Sequence, residues 1–400
     1  MQRNFSSRVL LAALLLSEAA HAAPTIKDAL DSAWARHPAA QSRAAHLDEN
    51  FARRDLASSW LADAPRVSIG QKTDRWNQNA GAREWEAEIA VPLQLPGLRA
   101  ARGTVAASEL TQYDARTAAE KWRLAGEVRE AYWQARIAAG DLLLAERKVA
   151  DARLLSADAE RRFRAGDIAR TDWNQAEGAL KLAQSAHADL RAKAYRAERA
   201  FFGLTAVSQI PADQESLAGS GAALDHHPQL LEQMRDADTA RARQQEEHAA
   251  RRDPPELSLG TVRERSAFGE SSAGSVMLRL TVPLASGARN RSRLAAASAG
   301  RIEAEARVLQ ARARIEADIA AAAEEVAQST QQVEFAAARF ALSRESHELL
   351  DKSYRLGDLD LPARLRAEAD RFDAELSLSR ARLERSRNIS RFNQANGLLP

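Results

Sequence analysis

FRAGDIARTD, residues 163–172, returns as YRLGDLDLPA at residues 354–363, an offset of 191 in a chain of 400 residues. Each run is a stop and a restart: a glycine (Gly166, Gly357), an aspartate (Asp167, Asp358), then residues suited to a new helix, with Pro362 placed for a first helical turn. Outward from these runs the repetition continues. His37-Pro38 recurs as His227-Pro228, PRVSIG from Pro65 as PELSLG from Pro255, Val91-Pro92 as Val282-Pro283, and Phe202-Gly203-Leu204 as Asn396-Gly397-Leu398. Two copies, each far longer than a solenoid unit, mean one large structural half duplicated in tandem, residues 23–211 and 212–400.

No proline lies between Pro96 and Pro211, or between Pro283 and Pro362. Proline inside a helix costs about 3 kcal/mol, so these spans suit very long helices, over about 98–165 and 288–356. Leu124, Val128, Ala131, Ala135, Ala138, Leu142, Ala145, Val149 and Ala152 follow 4-3 spacing. Ile315, Ile319, Ala322, Val326, Ser329, Val333, Ala336, Phe340 and Ser343 repeat it 191 residues later. A sustained 3.5-residue period predicts helices that supercoil on their neighbours. Returning helices are expected over about 171–203 and 362–396, and short helices over about 38–62 and 228–253. Each long rod is then flanked by two short ones placed end to end.

A different period lies before each long helix. In Trp85–Val91 the odd positions are apolar and the even ones mostly polar; Val276, Leu278, Leu280 and Val282 alternate in the same way with Ser275, Met277, Arg279 and Thr281. Strands are expected at about 66–73, 85–93, 256–263 and 275–283, as two hairpins. Such hairpins are not stable alone with one apolar face exposed. They must pair with other chains or sit in lipid, where only a closed barrel satisfies every backbone group.

Composition points the same way. Ala, Arg, Leu and Glu dominate, aromatics are 5% of the chain, and the formal charge is +2 from many balanced charges, which gives nucleic-acid binding no support. Arg3, Arg8, the apolar run Val9–Leu16 and Ala20-His21-Ala22 read as an export signal over residues 1–22, cleaved near Ala22. The chain has no cysteine, hence no disulfide, thiolate metal site or lipid-bearing Cys. No zinc-hydrolase, nucleophile-elbow or phosphate-loop motif is present, so no enzyme is expected, and no cofactor. His226-His227 offers two imidazoles, but adjacent residues do not face one site, and His227-Pro228 reads as a helix start repeating His37-Pro38.

The duplication, the four strands with proline at their junctions with helices, and the proline-free rods together resemble the TolC family of outer-membrane efflux channels; the short chain looks most like the CzcC and CusC cation-efflux subgroup. The resemblance implies a mainly α fold with a small β part. Duplicated helical hairpins would build an α-barrel, and four strands per chain would join a trimeric twelve-stranded transmembrane β-barrel. It also implies a homotrimer in the outer membrane reaching into the periplasm, with a periplasmic adaptor and an inner-membrane pump as partners. The tip residues Arg164, Gly166, Asp167, Arg355, Gly357 and Asp358 are then candidates for adaptor docking, and Asp360 and Asp370 for the periplasmic aperture. Lys72, Glu86, Glu88 and Arg279, on the polar phase of the strands, would face the lumen. Two other readings compete. A soluble periplasmic coiled-coil scaffold leaves the strands without purpose, and an adaptor subunit would carry one hairpin rather than two.

Overall fold

The computed structural model describes residues 24–219, 224–250, 253–284 and 287–400; the export signal expected over 1–22 lies outside them. The architecture is two long rods, α4 (Pro96–Ala165) and α7 (Gly287–Leu356), each 70 residues and so about 105 Å long at 1.5 Å per residue. Before α4 come α1 (Ile26–Arg36), α2 (Pro38–Gln41), α3 (Arg43–Ser58) and the hairpin β1 (Arg66–Thr73) and β2 (Arg83–Pro92). After it α5 (Arg170–Thr205) returns along α4. The second copy runs α6 (Pro228–Ala249), β3 (Glu256–Arg265), β4 (Ala273–Thr281), α7 and the returning α8 (Leu361–Ala395).

The predicted seams are where the rods touch. Leu124, Val128, Ala135, Ala145 and Ala152 of α4 are buried, as are Ile315, Ala322 and Ser329 of α7, and the remaining seam positions are half-buried. Small residues there let α5 and α3 lie against α4, and α8 and α6 against α7, in the spliced-rod arrangement the lengths suggest. The two copies join through α6 and α8, which also pack on α4.

Both His-Pro pairs start helices. His37 and His227 are N-caps whose side chains accept hydrogen bonds from the backbone N–H of Ala39 (3.3 Å) and Gln229 (3.2 Å), with proline at the first helical position. The first short helix departs from expectation: Ser42 interrupts it, so 38–62 divides into α2 and α3, ending at Ser58. A further helix, α1, precedes it. It is opened by a capping box in which Thr25 Oγ1 accepts from Asp28 N (3.1 Å) and Asp28 Oδ2 accepts from Thr25 N (2.9 Å). Its Ile26, Ala29, Leu30 and Ala33 are buried at helical spacing against α4.

The repeat also breaks where the returning helices end. Gly203 lies inside α5, and Ala206 (φ +58°) ends that helix, whereas Gly397 (φ +78°) follows the end of α8. A Cβ at Gly397 would fall 2.8 Å from Pro228 Cδ, so glycine here serves close packing against the start of α6. Phe202-Gly203-Leu204 and Asn396-Gly397-Leu398 are therefore alike in sequence but not in structural role.

The core sits mid-rod, around Leu124, Val128, Tyr132, Trp133, Ile26, Leu30 and Phe201. Polar side chains tie the chain ends to it. Arg129, 3% exposed, forks onto Glu215 with contacts of 2.5, 2.9 and 3.2 Å and donates to the carbonyl of Leu398 at 2.9 Å. Trp133 Nε1 donates to Ser390 Oγ at 2.9 Å and Tyr132 OH to the Asp213 carbonyl at 2.6 Å, and burial pushes the Tyr132 phenol up to about 12.

Candidate functional site

The four strands form one antiparallel sheet in the order β1-β2-β3-β4, so the two hairpins of the duplication pair through their inner strands and leave β1 and β4 as open edges. Residues opposite each other share a face, and the register sorts the sheet cleanly. One face carries the rows Val67–Ile89–Leu259–Leu278 and Val91–Leu257–Leu280, with Ile69, Ala87 and Val276 beside them. Apart from the half-buried Val91, its large apolar side chains stand in the open, from 37% exposed at Leu257 to 77% at Val276.

The opposite face carries Lys72, Glu84, Glu86, Glu88, Ser258 and Arg279. Lys72, Glu86, Glu88 and Arg279 thus lie together on the polar face, as their phase predicts. Three of them belong to cross-strand charge pairs: Lys72 Nζ lies 3.7 Å from Glu84, and Arg279 reaches over β3 to Glu88 at 3.3 Å. Arg66 pairs with Glu256 on the same face. A sheet with a polar charge-paired face, a naked apolar face and two open edges is half of an interface.

At the far end of the rods the tips are built alike. Gly166 and Gly357 both take φ +86°, the left-handed conformation that stops α4 and α7. Their amides bond the carbonyls of Phe163 (3.0 Å) and Tyr354 (3.2 Å), while Asp167 N and Asp358 N bond the carbonyls of Arg162 (2.9 Å) and Ser353 (3.0 Å). The side chains of Arg164, Asp167, Arg355 and Asp358 are exposed; Arg164 folds back to Glu160 at 2.5 Å and Arg355 to Asp351 at 2.7 Å.

The two aperture candidates do not come together. Asp360 caps α8, accepting from Ala363 N at 3.1 Å, and Asp370 is exposed ten residues further along the same helix, about 80° around its axis. His226 is exposed, whereas His227 is a buried cap with its imidazole pushed below the ordinary value by that burial. Among the described residues no three or more His, Cys, Asp or Glu gather in metal-binding geometry, and no helix is long and apolar enough to cross a membrane.

Sequence reasoning passed over a charged knot just behind the second tip. Asp151 of α4, His347, Asp351 and Tyr354 of α7, and Arg364, Glu368 and Arg371 of α8 line a cavity of about 430 Å³. Tyr354 is buried between two guanidiniums, Arg162 at 4.8 Å and Arg364 at 5.1 Å from its ring. Arg364 donates to Asp351 at 2.6 Å and Arg371 to Asp151 at 3.1 Å. Burial opposes the charge on Asp351, but the Arg364 hydrogen bond and the charges of Arg364 and Arg355 hold its carboxyl below the usual range. Burial pushes Glu368 up and His347 down. The available signal was spacing: Arg364, Glu368, Arg371 and Glu375 recur at 4-3-4 intervals, a buried period occupied by charges.

Duplicated helical hairpins flanking a small antiparallel sheet define the TolC-like channel fold, a helical barrel with a β part. The structure superposes on CusC with a TM-score of 0.77 at 17% identity, covering 93% of this chain and 92% of that one. It superposes on the open state of the Neisseria gonorrhoeae MtrE outer membrane channel with 0.75 at 17%, over 94% and 90%. For the Campylobacter jejuni CmeC outer membrane channel the values are 0.74 at 14%, over 99% and 94%. No curated protein matches the sequence. The family described as Outer membrane efflux protein matches residues 29–206, which is most of the first copy. The first copy thus matches that family's model, and the fold shared with these outer membrane channels continues through the second copy.

Proposed function

We propose that the protein is the outer-membrane channel of a tripartite efflux system: a homotrimer that conducts substrates from an inner-membrane pump through a helical tunnel to the outside. The observation that carries this reading is the sheet. Its apolar face is exposed along all four strands, and β1 and β4 have unpaired edges. In hydrocarbon every unpaired backbone group costs several kcal/mol, so an open four-stranded sheet cannot stand in lipid. Three copies, β4 of each against β1 of the next, close twelve strands with the apolar face to lipid and the charged pairs around water. A soluble scaffold gives that face no partner.

The chain has no cysteine, so a variant with one Cys in β1 and one in β4 carries only the two thiols introduced. Oxidation should lock such a variant into trimers in the outer-membrane fraction. Monomers in the soluble fraction would end the channel reading.

Adaptor docking belongs at the tips. Gly166 and Gly357 are the ends of rods about 105 Å long, the first surfaces a partner rising from the inner membrane meets. The exposed Arg164, Asp167, Arg355 and Asp358 give it polar handles. Crosslinkers placed at Asp167 and Asp358 should capture the adaptor; capture only from mid-rod positions would move the docking surface.

A further inference from the structure

The exposed face of the sheet is not apolar to its end. Towards the β1–β2 and β3–β4 loops the apolar rows give way to Gln71–Trp85–Arg263–Gly274 and then Thr73–Arg83–Arg265. Three arginines thus share the face that carries Leu259 and Leu278; Trp85, 51% exposed, stands level with Arg263, one row nearer the apolar rows than Arg83 and Arg265. Arg83 and Arg265 are directly opposite each other, an arrangement that places like charges about 5 Å apart at Cβ and is destabilising unless an anion intervenes.

Among the described residues Arg83 and Arg263 have no ion-pair or hydrogen-bond partner. Arg265 spends only its Nε, on the Gly81 carbonyl at 3.2 Å, while its guanidinium lies 5.8 Å from the Phe268 ring. Asp74, Glu84 and Glu264 border the same pocket as Arg83 and Arg265, yet none makes an ion pair with either: Asp74 accepts from the Ala80 amide at 2.7 Å, and Glu84 and Glu264 lie on the opposite face, where Glu84 is held by Lys72. Both β2 and β3 are inner strands, so pairing at the β1 and β4 edges leaves the patch uncovered.

We propose that Arg83, Arg263 and Arg265, with Trp85 beside Arg263, bind the head group of a multiply phosphorylated glycolipid whose acyl chains lie on the apolar rows. The proposal rests on the outer-membrane reading. Three guanidiniums within about 10 Å ask for more than one negative charge, and the planar guanidinium fork matches phosphate oxygens bidentately. An indole at the boundary between apolar rows and charge is where an aromatic girdle sits in a lipid-facing barrel.

The test uses the full-length protein in detergent with four probes: bisphosphorylated lipid A, its dephosphorylated form, phosphatidylglycerol and inorganic phosphate. Bound lipid is counted by native mass spectrometry. The wild type should prefer bisphosphorylated lipid A to the dephosphorylated form by about tenfold or more. The triple variant R83Q/R263Q/R265Q should lose that preference, the triple Arg→Lys variant should keep part of it, and Arg66→Gln on the opposite face should change nothing. Equal binding of the two lipid A forms by the wild type, or undiminished preference in the triple Gln variant, overturns the proposal. So does equal competition by phosphatidylglycerol or inorganic phosphate. Fractionation separates the two readings: a wild type outside the outer membrane sinks the channel assignment, and one inside it that ignores the phosphates sinks only the lipid site.

Discussion

Leu278 and Arg279 are neighbours in β4 whose side chains leave opposite faces of the sheet, and exchanging their characters tests the barrel directly. Leu278 sits in the row Val67–Ile89–Leu259–Leu278, every member of which is exposed, Leu278 itself by 72%. If lipid covers that row, Leu278→Arg places a guanidinium near the bilayer midplane at a cost of about 2–4 kcal/mol, which three copies raise to about 6–12 kcal/mol per assembled barrel. Arg279→Leu removes an ion pair to Glu88 at 3.3 Å in which the arginine is half exposed. With the arginine in water the pair itself contributes about 0.2–1 kcal/mol, and leaving Glu88, 13% exposed at its side chain, without that partner adds about 1 kcal/mol, so the loss stays below that of Leu278→Arg. Urea-unfolding midpoints of both variants in lipid vesicles, together with trimer yield on semi-native gels, should show Leu278→Arg badly damaged and Arg279→Leu close to wild type. Equal midpoints, or greater damage from Arg279→Leu, would refute the assignment of the two faces.

At the tips a Cβ added at Gly166 or Gly357 meets no atom within 4 Å, so the main cost of Gly166→Leu or Gly357→Leu is the left-handed backbone, about 1–2 kcal/mol each; trimers should persist while adaptor crosslinking and resistance fall. Mid-rod, Arg129→Ala leaves Glu215, 12% exposed at its side chain, without its partner. A loss of about 3–5 kcal/mol is expected, with hydrogen exchange rising first in the 206–219 connector and the C-terminal residues. Behind the tip, His347 has a folded pKa below its ordinary 6.5, held down by burial first and then by Arg371, with Arg364 adding to it and Asp351 and Asp151 opposing. The unfolded segment therefore binds the proton more readily, and local stability falls as pH drops from 6.5 towards the folded value. Glu368, raised above 4.5 by burial, has the opposite slope and loses stability as pH rises from 4.5 to its folded pKa. Hydrogen exchange of the α7–α8 tip at pH 5.5 against 7.5 should show acid loosening in the wild type and not in His347→Gln.

The fold was open to reading because its two periods are sustained and said twice. The 4-3 seam of α4 and its copy in α7 contain no exposed position, and β1 runs over 66–73 as the alternation indicates. Where local chemistry competes, the reading slipped. Ser42 breaks the first short helix, and α1 went unseen although Thr25 and Asp28 spell its capping box. Gly203 and Gly397 look equivalent, but Ala206 takes over the left-handed position in the first copy. Sequence likeness does not by itself transfer a backbone conformation.

The site divides along the same line. Strand phase assigns Lys72, Glu86, Glu88 and Arg279 to one face because period 2 is strict, and the glycines mark the tips because a left-handed helix end strongly favours them. The knot behind the tip escapes such rules because it is tertiary: Asp151, His347 and Arg371 come from three helices. Asp360 carries a second demand on one carboxylate. Its charge and its place beside the tip suggested an aperture, yet its carboxylate is engaged at the Ala363 amide, where a helix start asks for Asp, Asn, Ser or Thr. Charged groups already spent on a cap or a neighbour make poor candidates for function, which turns attention to those left unspent. Among the described residues these include Arg83 and Arg263 at one end of the molecule, and at the other the buried Oε2 of Glu368, which has no hydrogen-bond partner.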